Sequence, residues 1–154
     1  MKKIALITTI AGFAFNGAVN AASVTGNANV NIISALSIVE TTDIDFGSIA
    51  NVDGTCNMDN SGSLSGGADM NCTGTATPAL FTLSGAASEA VDIGVTADPA
   101  VDGVTYNPVF SGGSTVFLDG SGAAAVTVHG SVSLSSATTG DKDIAYTFTA
   151  NYQW

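Results

Sequence analysis

Few residues in this chain are equipped for bond-making chemistry. His129 is its single histidine, so any serine–histidine–aspartate hydrolase or imidazole acid–base site must be built on it. It stands in the alternating run Val126-Thr127-Val128-His129-Gly130. That pattern turns it toward solvent from a strand, and no Gly-x-Ser-x-Gly elbow accompanies it. The acids are scattered, and Asp53, Asp98, Asp102 and Asp119 each adjoin Gly or Pro. Aspartates so placed serve turns rather than a carboxylate pair flanking a glycosidic bond. Asn57-x-Asp59-x-Ser61-Gly62 imitates the first half of a calcium loop, but the twelfth position is Ala68 and Asp69 is out of register. A complete loop needs a bidentate glutamate there. No glycine-rich loop with a lysine offers a phosphate cradle. The expectation is a protein without catalytic residues, metal site or cofactor, and not an enzyme.

The N-terminus has the pattern of an export address. Lys2 and Lys3 precede an apolar run over residues 4–15, and Ala18-Val19-Asn20-Ala21 follows as a small-residue cleavage site. The run is short of the ~20 residues that span a bilayer. A signal peptide over 1–21 and one mature domain over 22–154 are therefore expected, with no membrane insertion after cleavage. Once the leader is removed, Lys142 is the only Lys or Arg set against 13 acids. Such a surface repels phosphates, which excludes nucleic acid as a partner and disfavours anionic lipid. In an exported chain the even pair Cys56 and Cys72 is expected to form a disulfide, contributing roughly 3 kcal/mol by loop closure.

No segment shows an amphipathic helical stripe. Short period-two runs recur instead, separated by turn residues, and Asp-Gly appears at 53–54, 102–103 and 119–120. Asp-Gly suits the positive-φ positions of tight hairpins. Val126 and Val128 are read as pairing with Val132 and Leu134 around Gly130. Residues 51–75, rich in Gly, Ser and Asn, read as a long loop tied down by the disulfide. Eight or so short strands predict an all-β sandwich or barrel.

The two ends of the mature chain carry the strongest pattern. Val24, Gly26, Ala28, Val30 and Ile32 line one face of a segment whose other face is Thr25, Asn27, Asn29 and Asn31. This is either the first strand of the domain's own sandwich or a donor strand that completes a neighbour. At the other end Ile144, Tyr146, Phe148, Ala150 and Tyr152 alternate strictly, which predicts a strand well inside a sheet.

The stretch from Gly140 to Tyr152, twelve residues apart with alternating apolar positions between, resembles the C-terminal signature of chaperone–usher fimbrial subunits. In that family the tyrosine is usually penultimate, whereas Gln153 and Trp154 follow Tyr152 here. Leu36-Ser37-Ile38, the run Asp43-Ile44-Asp45-Phe46-Gly47-Ser48-Ile49 and the ending Asn151-Tyr152-Gln153 are similar to a bacterial family of secreted β proteins related to spore-coat protein U. The resemblance implies an immunoglobulin-like sandwich lacking its last strand, with a groove beside the strand that holds Ile144, Tyr146, Phe148, Ala150 and Tyr152. A periplasmic chaperone fills that groove first, an outer-membrane usher directs assembly, and the next copy's N-terminal segment takes over in a surface fimbria that supports adhesion. The implied route is export through the inner membrane, transit of the periplasm, then the cell surface. The alternative is a self-contained secreted coat or carbohydrate-binding module whose first strand pairs within its own chain.

Overall fold

The computed structural model describes residues 23–72 and 75–153. The expected signal peptide over 1–21 lies outside the described residues. Internal contacts divide the chain into Met1–Asn31 and Ile32–Trp154. In the first unit, residues 23–31 carry no secondary structure and are all exposed.

The second unit is all-β and antiparallel, as its period-two patterning requires. Its strands are β1 (Ser37–Thr42), β2 (Gly54–Met58), β3 (Leu64–Gly66), β4 (Ala79–Ser84), β5 (Ala90–Ala97), β6 (Val104–Phe110), β7 (Thr115–Phe117), β8 (Ala123–Leu134) and β9 (Tyr146–Tyr152). A short 3-10 turn, Ala68–Met70, is the one helical element among the described residues. One sheet runs β1-β4-β8-β2-β3, with β6 also paired to β8; the other runs β7-β5-β9.

The 12-residue β8 organises the larger sheet. Its first half pairs with β4 from Ala123 to Val128, and its second half pairs with β2 from Gly130 to Leu134. The other edge of that second half takes β6. Every second residue of β8 from Val126 to Val132 is buried, so one continuous face lies against the core. The expected break at Gly130 does not occur. Gly130 instead has φ +141°, and a Cβ there would stand 2.1 Å from the Asn107 carbonyl oxygen. Glycine is needed because β6 passes too close for any side chain.

The core lies between the sheets. Ala79, Phe81 and Leu83 of β4 and Val126 and Val128 of β8 face Val91 and Ile93 of β5. Phe81 stacks on Phe148 of β9 with ring centroids 4.4 Å apart, and it meets Tyr146 edge-on at 6.2 Å. These are favoured aromatic geometries, and they join one sheet to the other.

Residues 51–75 hold more than a loop, since β2 and β3 form a hairpin within them. The disulfide Cys56–Cys72 closes this region, with a Cα–Cα separation of 5.6 Å. Asp102-Gly103 is the tight hairpin turn expected of it, with φ of 48° and 79° and the Val101–Val104 bridge on either side. Asp119 serves a longer loop that the chain uses twice. In Asp59-Asn-Ser61-Gly62-Ser63 and Asp119-Gly-Ser121-Gly122-Ala123, the aspartate Oδ1 accepts from the backbone N–H two and four residues on and from the serine hydroxyl between. Gly62 and Gly122 occupy the same position in each loop, with φ of 83° and 82°.

These hydrogen bonds, the serine hydroxyl first, hold both carboxyls below their ordinary value of 3.8. The unfolded chain therefore takes up the proton first as pH falls. The loops' contribution to stability is fully present above about 3.8 and is lost as pH drops through the lower folded-state value. Asp119→Asn should lower the thermal midpoint at pH 7, and the gap to wild type should narrow progressively below pH 3.8. Thermal melts at pH 7, 4 and 2 check this; a gap that does not change with pH contradicts it.

Candidate functional site

β9 lies at the edge of its sheet, with β5 on one side only. This corrects the expectation of an interior strand. Alternation records which face is apolar; it does not record whether a second neighbour is present. Tyr146, Phe148, Ala150 and Tyr152 are each only half-buried, whereas the corresponding face of β4 is fully covered. β1 is the edge of the facing sheet.

Side chains hold these two edges side by side. The Tyr146 hydroxyl donates to Glu40 Oε1 at 2.8 Å. The Tyr152 hydroxyl donates to the Ser34 carbonyl at 2.9 Å and accepts from the Ala86 N–H at 2.6 Å. Gly85 makes room for that hydroxyl, since a Cβ there would lie 2.1 Å from it. Residues 34–40 thus run antiparallel alongside β9, joined by side chains and not by a ladder.

Past Glu40 and Tyr146 the two chain segments part around an open cleft of about 800 Å³. Its floor is Val104 and Tyr106 of β6 and Val132 and Leu134 of β8. One wall is formed by residues 44–51, with Ile44, Phe46 and Ile49; the other is formed by 137–145, with Gly140 and Ile144. The first wall is tied outward by reciprocal Asp45–Thr77 backbone bonds of 2.8 Å and by Ala50 N–H to the Met70 carbonyl at 2.9 Å. Residues 139–145 carry no strand assignment and make no backbone–backbone hydrogen bond among the described residues. Lys142 anchors this second wall through an ion pair to Asp102 at 3.3 Å. Phe46, Tyr106 and Tyr146 form an edge-to-face chain, with centroids 5.7 and 5.4 Å apart, leading from the cleft into the core. Asp43, Asp45, Asp141 and Asp143 are exposed around the rim.

The floor residues Val104, Tyr106 and Val132 are buried beneath the cleft, and along one side residues 139–145 make no backbone–backbone hydrogen bond among the described residues. Comparison with protein-family models, with curated proteins and with solved structures gave no match.

The residues singled out from sequence fall into three places. Gly140 and Ile144 line the cleft, and Tyr146, Phe148, Ala150 and Tyr152 continue along β9. Cys56 and Cys72 sit in a buried cluster with Met70. Val24, Gly26, Ala28, Val30 and Ile32 are exposed, with Val24, Val30 and Ile32 at 95%, 80% and 85%. The cleft floor and the Glu40 and Ser34 contacts escaped sequence reading, because strands distant in sequence supply them. His129 has Nδ1 3.1 Å from the Met58 carbonyl and Nε2 3.2 Å from Ser111 Oγ. Among the described residues, no three His, Cys, Asp or Glu side chains are grouped to hold a metal ion, and no helix is long and apolar enough to cross a membrane.

Burial first, and then the negative charge of Glu40, pushes the Tyr106 and Tyr146 hydroxyls above their ordinary value of 10.0. Their contribution to stability is fully present below pH 10 and is lost as pH rises toward the folded-state values. Wild type should therefore lose thermal stability above pH 10, and Tyr146→Phe should lose less over the same range. Parallel alkaline melts decide; equal slopes for the two proteins contradict the assignment.

Proposed function

We propose that this protein is a structural subunit of a surface fimbria, assembled by strand exchange, in which residues 24–32 of one copy fill the cleft of the next. One observation carries the reading: an apolar cleft bordered by unpaired backbone, in a chain whose apolar N-terminal segment is exposed.

Chain reach supports an occupant from another copy. Ser34 is held by Tyr152 at the far end of β9 from the cleft. β9 is seven residues long, or roughly 20 Å of strand. Val30 lies four residues before Ser34 and can stray at most ~14 Å from it, and Ile32 still less. Neither can enter its own chain's cleft; only the first few residues of the segment have the length. A self-contained module whose first strand completes its own sandwich is therefore disfavoured.

The energetics suit a durable joint. Burying a Val or Ile side chain stabilises by about 1.5–3 kcal/mol, and a strand in the cleft also pairs the backbone of residues 139–145. Residues 23–32 carry no charge, so they can approach the acidic rim of a like copy without repulsion. On this reading the fold is an immunoglobulin-like sandwich short of one strand. A periplasmic chaperone would occupy the cleft in transit, an outer-membrane usher would direct assembly, and the filament would support adhesion at the cell surface.

Val30→Asp should abolish polymerisation, because the cleft would then bury an unpaired carboxylate. The monomer's thermal midpoint should stay within about 2 °C of wild type, since an exposed substitution usually shifts stability by no more than 0.5 kcal/mol. Electrophoresis in mild detergent, with and without boiling, reads the outcome. Ladders formed by the Val30→Asp protein would remove the donor role from this segment.

A further inference from the structure

The Tyr152 hydroxyl is held in a prepared socket. It accepts from the Ala86 N–H at 2.6 Å and donates to the Ser34 carbonyl at 2.9 Å. A side chain at Gly85 would fill the space that the hydroxyl takes. The Asp119 loop braces the socket from behind. The Gly85 N–H donates to the Gly122 carbonyl at 2.8 Å, and the Ser88 N–H donates to the Asp119 carbonyl at 3.1 Å. Gly122 fits closely as well, since a Cβ there would collide with the Gly85 carbonyl. Two glycines and a hydrogen-bonded loop thus fix one hydroxyl, and that hydroxyl fixes Ser34.

The place of this tether decides where the preceding residues can go. Glu40 marks the mouth of the cleft, through the bond it accepts from Tyr146. Ser34 lies roughly 20 Å of extended chain before it. Val30 can reach back at most ~14 Å from Ser34, so it falls short of the mouth. Without the tether, the next held residue is Leu36, packed on the central core. Leu36 stands about 13 Å from the mouth, and Val30 can reach ~20 Å from Leu36. Losing one contact turns a shortfall into a surplus.

We propose that Tyr152 is a positioning residue whose hydroxyl, by holding Ser34, keeps residues 24–32 out of their own chain's cleft and reserves them for another copy. This rests on the strand-exchange reading above and names the contact that sets its direction. A segment tethered to its own cleft competes at a high effective concentration, unless the tether is too short to span the distance. At dilution, a segment with slack would therefore outcompete a neighbour's. The hydroxyl removes the slack while standing outside the cleft, whose lining does not include Tyr152.

The test uses the full chain, with a fluorescent peptide of the sequence of residues 23–33 as the probe of an open cleft. Protein carrying Val30→Asp has its own segment disabled and should bind the peptide. Failure of that protein to bind would overturn strand exchange and the tether together. Tyr152→Phe keeps the ring and removes the hydroxyl. At concentrations too dilute for assembly, it should bind the peptide about five-fold more weakly than wild type, because its own segment now competes; losing a neutral hydrogen bond sets that scale. Adding Val30→Asp to Tyr152→Phe should return binding to within two-fold of the Val30→Asp protein. Equal binding by Tyr152→Phe and wild type would overturn the tether and leave strand exchange standing. Weak binding that Val30→Asp does not rescue would mean that the hydroxyl shapes the cleft, and would overturn it too. If Tyr152→Phe does not fold, a Gly-Ser-Gly-Ser insertion between Ile32 and Ile33 decides. It leaves β9 and the Ser34 contact in place and adds about 13 Å of chain. The same five-fold loss is expected, and unchanged binding would refute the tether.

Discussion

A strand edge that faces neither a partner nor a covering element leaves backbone donors and acceptors in search of one. Residues 139–145, just before β9, make no backbone–backbone hydrogen bond among the described residues, and they border the cleft. On one side β5 satisfies the strand. On the other, residues 34–40 meet it through the hydroxyls of Tyr146 and Tyr152. Past those two contacts the cleft lies above Val104, Tyr106, Val132 and Leu134, of which the first three are buried. On the strand-exchange reading, the exposed, uncharged N-terminal segment matters as much as the cleft.

The rest of the fold keeps the opening in shape. β8 carries β4, β2 and β6 together and so fixes the floor. The aromatic chain from Phe46 through Tyr106 and Tyr146 to Phe81 and Phe148 couples the floor to the central core. Backbone bonds to Thr77 and Met70 hold one wall, and the Lys142–Asp102 pair anchors the other. That ion pair is partly exposed and contributes little to stability on its own. Its value is positional, since residues 139–145 have no ladder to hold them.

Much of this was legible in the residues. Period-two runs marked β4, β5, β8 and β9 because one face of each packs on the core. Asp102-Gly103 announced a hairpin because both residues tolerate positive φ. Other features depended on context that no local window contains. Gly130 looked like punctuation, yet β8 runs straight through it because the constraint comes from the Asn107 backbone of β6. β2 and β3, with the sequences Gly-Thr-Cys-Asn-Met and Leu-Ser-Gly, carry too little apolar alternation to stand out from a loop. They are strands because β8 and the disulfide hold them. The apolar face of β9 was plain, but its place at an edge was not, since an edge is defined by a neighbour that is missing. The Asp-x-Ser-Gly loops at 59–62 and 119–122 carry a repeated signal that their polar composition concealed.

The central claim is that the sandwich is completed between copies and not within one. Amide hydrogen exchange, compared between dilute monomer and assembled protein, addresses it directly. The account predicts that residues 24–32 and 139–145 exchange freely in the monomer and become protected together in the assembly. Protection of residues 24–32 in the dilute monomer, unchanged by concentration, would contradict it.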